Sequence, residues 1–85
     1  MIQFEYTITD PLGIHARPAA ELVKTATAYR SSISIQYREK EISAKKMIAL
    51  MSLGLKQSDK IKLSIQGEDE IEAAKELKHF LQEKL

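Results

Sequence analysis

The chain has no cysteine, no tryptophan, only two prolines and three glycines among its 85 residues. Without cysteine there is no disulfide, no thiolate metal site and no thiol nucleophile, a composition compatible with a reducing cytoplasm. The start, Met1-Ile2-Gln3-Phe4-Glu5, lacks the basic and apolar regions of a signal peptide, and no apolar run approaches the length of a membrane span. The expectation is a cytoplasmic protein without membrane insertion, one small domain over residues 1–85. A chain this short buries too little surface to enclose a large substrate cavity, so function is expected on the surface. A strong charge of one sign is also missing, since the net charge is +1. It is uneven: residues 1–66 carry ten Lys/Arg against six Asp/Glu, and residues 67–85 carry three against six. With three tyrosines and two phenylalanines, several at alternating strand positions, a stacking platform for nucleic acid is not expected. The mild basic excess suits acidic protein partners. No Asp/Glu cluster suggests a metal site, and no cofactor is expected.

What is present begins at Gly13-Ile14-His15-Ala16-Arg17-Pro18-Ala19-Ala20. Here an extended segment turns into a helix, with a histidine and an arginine at the junction. Gly13 permits unusual backbone angles just before the turn, and Pro18 is tolerated in a first helical turn because its missing N–H has no intrahelical partner there. That first turn leaves N–H groups unpaired and carries partial positive charge, which suits phosphate or another anion. A lone histidine near a helix start is usually only a polar surface residue. Arg17 two positions on, the absence of carboxylates from Pro11 to Ala20 and the small neighbours favour an exposed imidazole that meets anions.

The order of elements reads β-α-β-β-α-β-α. Ile2, Phe4, Tyr6 and Ile8 alternate with polar residues, as a half-buried strand requires, and Asp10-Pro11-Leu12-Gly13 is a loop. From Ala16 to about Tyr29 a helix carries Ala19, Leu22, Val23 and Ala26 on one face. Ile33, Ile35 and Tyr37 form a second strand. Arg38-Glu39-Lys40 turns into a short third strand, Glu41-Ile42-Ser43. Lys46 to Leu53 is a short helix stopped at Gly54. Ile61, Leu63 and Ile65 make the fourth strand. Asp69 or Glu68 opens a last helix, whose acidic first turn suits the dipole and whose apolar stripe is Ile71, Ala74, Leu77 and Leu81. Four half-buried strands imply an α+β fold, an antiparallel sheet with helices on one face and water on the other.

The short helix carries more apolar residues than one buried stripe needs. With Leu50 and Leu53 facing the core, Met47, Ile48 and Met51 partly face outward. Exposed apolar clusters with polar rims mark protein contacts, and methionine adapts to several partner shapes. Lys24, Lys45, Lys46 and Lys56 are candidates for a basic rim. The alternative is a helix more deeply buried than its length suggests.

The Gly13–Ala19 segment resembles the active-site motif of the HPr family, the histidine-containing phosphocarriers of the bacterial sugar phosphotransferase system. Met51-Ser52-Leu53-Gly54 resembles the family's second-helix segment, and length and element order agree across the chain. The resemblance implies an open-faced β-sandwich, a four-stranded antiparallel sheet with three helices on one face. It implies that His15 accepts a phosphoryl group on Nδ1 from Enzyme I, itself phosphorylated from phosphoenolpyruvate, and donates it to Enzyme IIA domains of sugar permeases. Arg17 would neutralise the phosphoryl oxygens, with Ala16, Arg17 and Pro18 as the phosphate-binding turn. Ala16, Ala20 and Lys24 on the first helix and Met47, Ile48, Met51 and Leu55 around the second would form the partner surface.

Many Gram-positive members carry a regulatory serine just before the second helix. The position here is Lys46, which has no hydroxyl, so phosphorylation there is excluded. The alternative function is an HPr-like regulatory paralogue that acts mainly by docking on regulatory proteins, without the serine switch. His79 falls with Glu72, Glu76 and Glu83 on the polar face of the last helix, where it reads as a solvated surface residue.

Overall fold

The computed structural model describes residues 1–85. Its elements follow the order β1 (Ile2–Thr7), α1 (Ala16–Thr27), β2 (Ser32–Tyr37), β3 (Lys40–Ser43), α2 (Met47–Ser52), β4 (Lys60–Gln66) and α3 (Glu70–Lys84). The four strands form one antiparallel sheet in the order β1-β4-β2-β3. The register explains the alternation in the sequence. Ile2, Phe4 and Tyr6 lie opposite Ile65, Leu63 and Ile61, while Ile33 and Ile35 lie opposite Ile65 and Leu63 on the other side of β4. Successive side chains point to opposite faces of a strand, so these residues form one apolar surface. The other face carries Gln3, Glu5, Lys62, Ser64, Ser34 and Gln36 and remains in water.

The helices cover the apolar face. Ala19, Leu22 and Ala26 of α1 are fully buried, as are Ala73, Leu77 and Leu81 of α3, and they join Leu50, Leu53 and Leu55 in a single core. One residue of the expected α3 stripe is misplaced: Ile71 is 75% exposed. The buried arc of α3 is centred between Leu77 and Leu81, and at about 100° per residue Ile71 falls roughly a quarter-turn away. Ala73, absent from the expected stripe, is buried in its place.

Asp69 precedes α3, but its carboxylate does not cap that helix. It accepts from the backbone N–H groups of Arg30 (2.8 Å) and Ser31 (2.9 Å) and from the Ser31 hydroxyl. Ser31 is a buried polar residue, and unpaired buried donors are costly, so this one carboxylate fixes the α1–β2 connection against the start of α3. The hydroxyl of Ser31, then the N–H of Arg30, hold the Asp69 carboxyl down from 3.8 to about 2. A lowered carboxylate pKa contributes stability that is complete above the unfolded value and lost as pH falls through the folded one. The expected result is a thermal midpoint that drops between about pH 4 and pH 2. Asp69→Asn should melt several degrees lower at pH 7 and lose less across that acid range. An identical acid slope in thermal denaturation of both proteins would remove Asp69 as the cause.

Candidate functional site

The loop between β1 and α1 is shaped by backbone contacts. Asp10 Oδ1 accepts from Leu12 N–H at 2.8 Å, and Asp10 O accepts from Gly13 N–H at 2.9 Å. Gly13 adopts φ +66°, where a Cβ would stand 2.4 Å from the Leu55 carbonyl oxygen and 2.7 Å from Lys56 Cα. Only glycine lets the loop lie this close to the segment that follows α2. The next residue is then pinned, since Ile14 N–H donates to Leu55 O at 3.0 Å.

This places His15 at the N-cap of α1 with extended angles, φ −127° and ψ 175°, and no side-chain cap bond. Its carbonyl accepts from Ala19 N–H at 3.0 Å, while its half-buried ring is left free for other work. The N–H groups of Ala16 and Arg17 have no intrahelical acceptor. Pro18, expected in the phosphate-binding turn, supplies no donor; its ring is buried and forms a wall. Arg17 is exposed and takes part in none of the four ion pairs. His15, Arg17 and Pro18 line an open depression of about 350 Å³ with Asp10, Glu21 and Lys84. These last three were not legible as site residues. Asp10 and Glu21 stand just outside the carboxylate-free stretch, and Lys84 lies at the far end of the chain. A larger depression of about 770 Å³ runs along the outer side of α3 past Ile2, Ile71 and His79, far in sequence from the motif. His79 there is solvated and pairs with Glu83 at 3.1 Å.

Beside the site, Ala16, Ala20 and Lys24 are exposed on α1. On α2, Ile48 is 86% and Met51 38% exposed, with Met47 half-buried and Leu50 and Leu53 in the core. Leu55 departs from the expected partner surface: it is buried, because its carbonyl faces the Gly13–Ile14 loop and its side chain turns into the core. It supports the exposed patch from beneath. Of the expected basic rim, Lys24, Lys46 and Lys56 are exposed. Lys45 instead donates to the Tyr29 carbonyl at 2.8 Å, tying the end of α1 to the approach to α2. Lys46 is the exposed N-cap residue of α2 and makes no side-chain cap.

The sheet order, the three helices and a motif histidine at the N-cap of α1 define a small α+β protein that offers an imidazole beside a helix start. Comparison with known proteins gives that class a family. Residues 2–83 match the model described as "PTS HPr component phosphorylation site". The chain is 43% identical over 83 residues to the phosphocarrier protein HPr of Buchnera aphidicola, covering 98% of each. It is also 43% identical over 79 residues to that of Lysinibacillus sphaericus, covering 93% of this chain and 90% of the relative. A crystal structure of HPr from Thermoanaerobacter tengcongensis superposes with a TM-score of 0.94 at 39% identity, covering 99% and 94% of the two chains. Crh of Bacillus subtilis, whose crystal structure is described as a swapped dimer, is similar at 34% identity and a TM-score of 0.77, covering 100% and 98%. The chain belongs to the HPr phosphocarrier family. No helix is long and apolar enough to cross a membrane.

Proposed function

We propose that the protein carries a phosphoryl group on His15, taking it from phosphorylated Enzyme I and passing it to Enzyme IIA domains of sugar permeases. The observation that carries this reading is the His15 ring itself. It stands at the start of α1 with no cap bond and opens into a depression it shares with Arg17. A neutral imidazole nitrogen is a competent nucleophile near neutral pH. The lone pair of His15 Nδ1 forms a bond to phosphorus while the donor's bond to phosphorus breaks and its electron pair leaves with the donor. Charge in such a transfer spreads over the three phosphoryl oxygens. The helix-start N–H groups of Ala16 and Arg17 and the Arg17 side chain, which lines the same depression, are the donors available to meet it, and such donors lower the barrier. The N–P bond so formed is labile, and the same steps in reverse order deliver the group onward.

Docking is assigned to the adjoining patch of Ala16, Ala20, Lys24, Met47, Ile48 and Met51. Exposed apolar side chains rimmed by lysines suit a partner with an apolar centre and an acidic border. The exposed cation at Lys46 leaves no hydroxyl there for a kinase, so control by serine phosphorylation at this position plays no part.

The test uses the purified chain with Enzyme I, labelled phosphoenolpyruvate and a set of IIA domains. The expected result is one phosphoryl group per chain on a histidine, then loss of the label to at least one IIA domain. A chain that takes no label in the presence of active Enzyme I overturns the carrier function. It would leave the regulatory paralogue, for which the likeness to Crh is the structural support.

A further inference from the structure

We propose that Lys84 is a second phosphoryl-binding cation of the His15 site, paired with Glu21 in the free protein and transferred to the phosphoryl oxygens when the group arrives. The proposal rests on the phosphocarrier reading given above and names a further residue for that chemistry.

Lys84 ends α3, yet it lines the same depression as His15 and Arg17. Its backbone is held there firmly. The Leu85 main-chain oxygen accepts from Thr9 N–H (2.6 Å), Asp10 N–H (3.0 Å) and the Thr9 hydroxyl (3.0 Å). The Leu81 carbonyl accepts from Tyr6 OH at 2.8 Å. Four hydrogen bonds thus fasten the end of α3 to β1 and to the segment that leads into the histidine loop. The side chain is held far less tightly. Lys84 Nζ lies 4.0 Å from Glu21 Oε2, with the two side chains 52% and 44% exposed, and ion pairs of that length and exposure contribute little. The lysine is therefore positioned by the fold and free to change partner.

The charges around the depression suit such a group. Arg17 and Lys84 stand against Asp10 and Glu21, so the formal charges cancel. A phosphoryl group adds about −1.5 to −2 near neutral pH. Asp10 keeps its loop hydrogen bond to Leu12 and remains beside the site. With Arg17 alone, the incoming oxygens would face two carboxylates and one cation. Release of Lys84 from Glu21 supplies the second. In that exchange the N–P bond to His15 forms as the donor's bond breaks, and Lys84 keeps its proton and trades a carboxylate oxygen for a phosphoryl oxygen. Lysine suits this as a compact charge on a flexible stem.

The test compares Lys84→Gln and Lys84→Arg with the parent chain, using Enzyme I and labelled phosphoenolpyruvate. In Lys84→Gln, His15 is expected to take the label roughly fivefold more slowly at low salt, with the gap closing near 0.5 M salt as screening sets in. The thermal midpoint should be unchanged, and Lys84→Arg should recover most of the rate. In the phosphorylated protein the second ionisation of the phosphoryl group, followed by phosphorus NMR, should move to higher pH in Lys84→Gln, because the cation favours the dianion. Parent-like rates and an unmoved phosphoryl ionisation in Lys84→Gln would overturn the role. So would a slowed variant that arginine does not rescue and whose phosphoryl ionisation is unmoved, since that pattern is structural. A parent chain that takes no label overturns the phosphocarrier reading itself, and this inference with it.

Discussion

Replacing His15 by alanine should abolish phosphoryl uptake while leaving the fold intact. The imidazole is the nitrogen nucleophile of the depression; its neighbours there are carboxylates, cations and a proline. Aspartate and glutamate are also nucleophiles toward phosphorus in some proteins. Here Asp10 is engaged by the Leu12 N–H and Glu21 lies beside Lys84. Stability should barely change, because the His15 side chain makes no cap bond and only its backbone is used, by Ala19. The measurement is labelling from phosphoenolpyruvate through Enzyme I, alongside thermal denaturation. Label retained in His15→Ala would place the phosphoryl group elsewhere. A collapse in the melting midpoint would mean that the ring has a structural duty which its geometry does not suggest.

Gly13→Ala should have the opposite character, a large loss of stability. Two costs combine at this position. A residue with a Cβ held at φ +66° loses about 1–2 kcal/mol to local crowding. The new Cβ also meets the Leu55 carbonyl oxygen at 2.4 Å and Lys56 Cα at 2.7 Å. Both are backbone atoms, so no side-chain rotation relieves the contact, and the loop and the segment after α2 must separate. The Ile14 to Leu55 hydrogen bond is the first to go. The combined cost is expected at roughly 3 kcal/mol or more, or about 15 °C in the melting midpoint of a domain this size. Gly54 provides the internal control. It also has positive φ, +62°, but a Cβ there meets nothing within 4 Å. Gly54→Ala should therefore lose only the conformational part. Equal midpoints for the two variants would show that the close approach at Gly13 contributes nothing.

The contrast between these glycines shows what the sequence could and could not convey. That Gly13 sits in a loop is a local property, legible from Asp10-Pro11-Leu12-Gly13. That it touches residues 55 and 56 is not, because the contact joins parts of the chain more than forty positions apart. β1, β2 and β4 are legible because each has one wet face and one dry face, and alternation records this directly. The same holds for α1. Ile71 misled because a three-residue spacing to Ala74 resembles a helical stripe, whereas the arc that α3 buries is fixed by where β1 and β4 lie. Leu55 misled for a related reason: an apolar residue beside an exposed patch carries no sign of which way the chain turns after the helix.

The candidate site divides in the same way. His15, Ala16, Arg17 and Pro18 are contiguous, so their union at a helix start follows from local rules. Glu21 stands one helical turn beyond Arg17 on α1 and Asp10 in the loop before it, whereas Lys84 reaches the depression only through the packing of α3 against α1, which nothing in its own neighbourhood announces. Asp69 is a further case. Glu70 and Glu72 give α3 the acidic first turn that suits its dipole, whereas the Asp69 carboxylate spends its hydrogen bonds on Arg30 and Ser31.

The bare N-terminal turn of α1 carries a cost of its own. Serine, aspartate or asparagine at position 15 would be an ordinary capping residue and would make that turn tighter by about 1 kcal/mol. Each would also remove the imidazole that the proposed transfer needs. If His15 is the phosphoryl acceptor proposed above, a stronger cap is given up at this one position so that a nucleophile can stand there, a trade of endurance for chemistry.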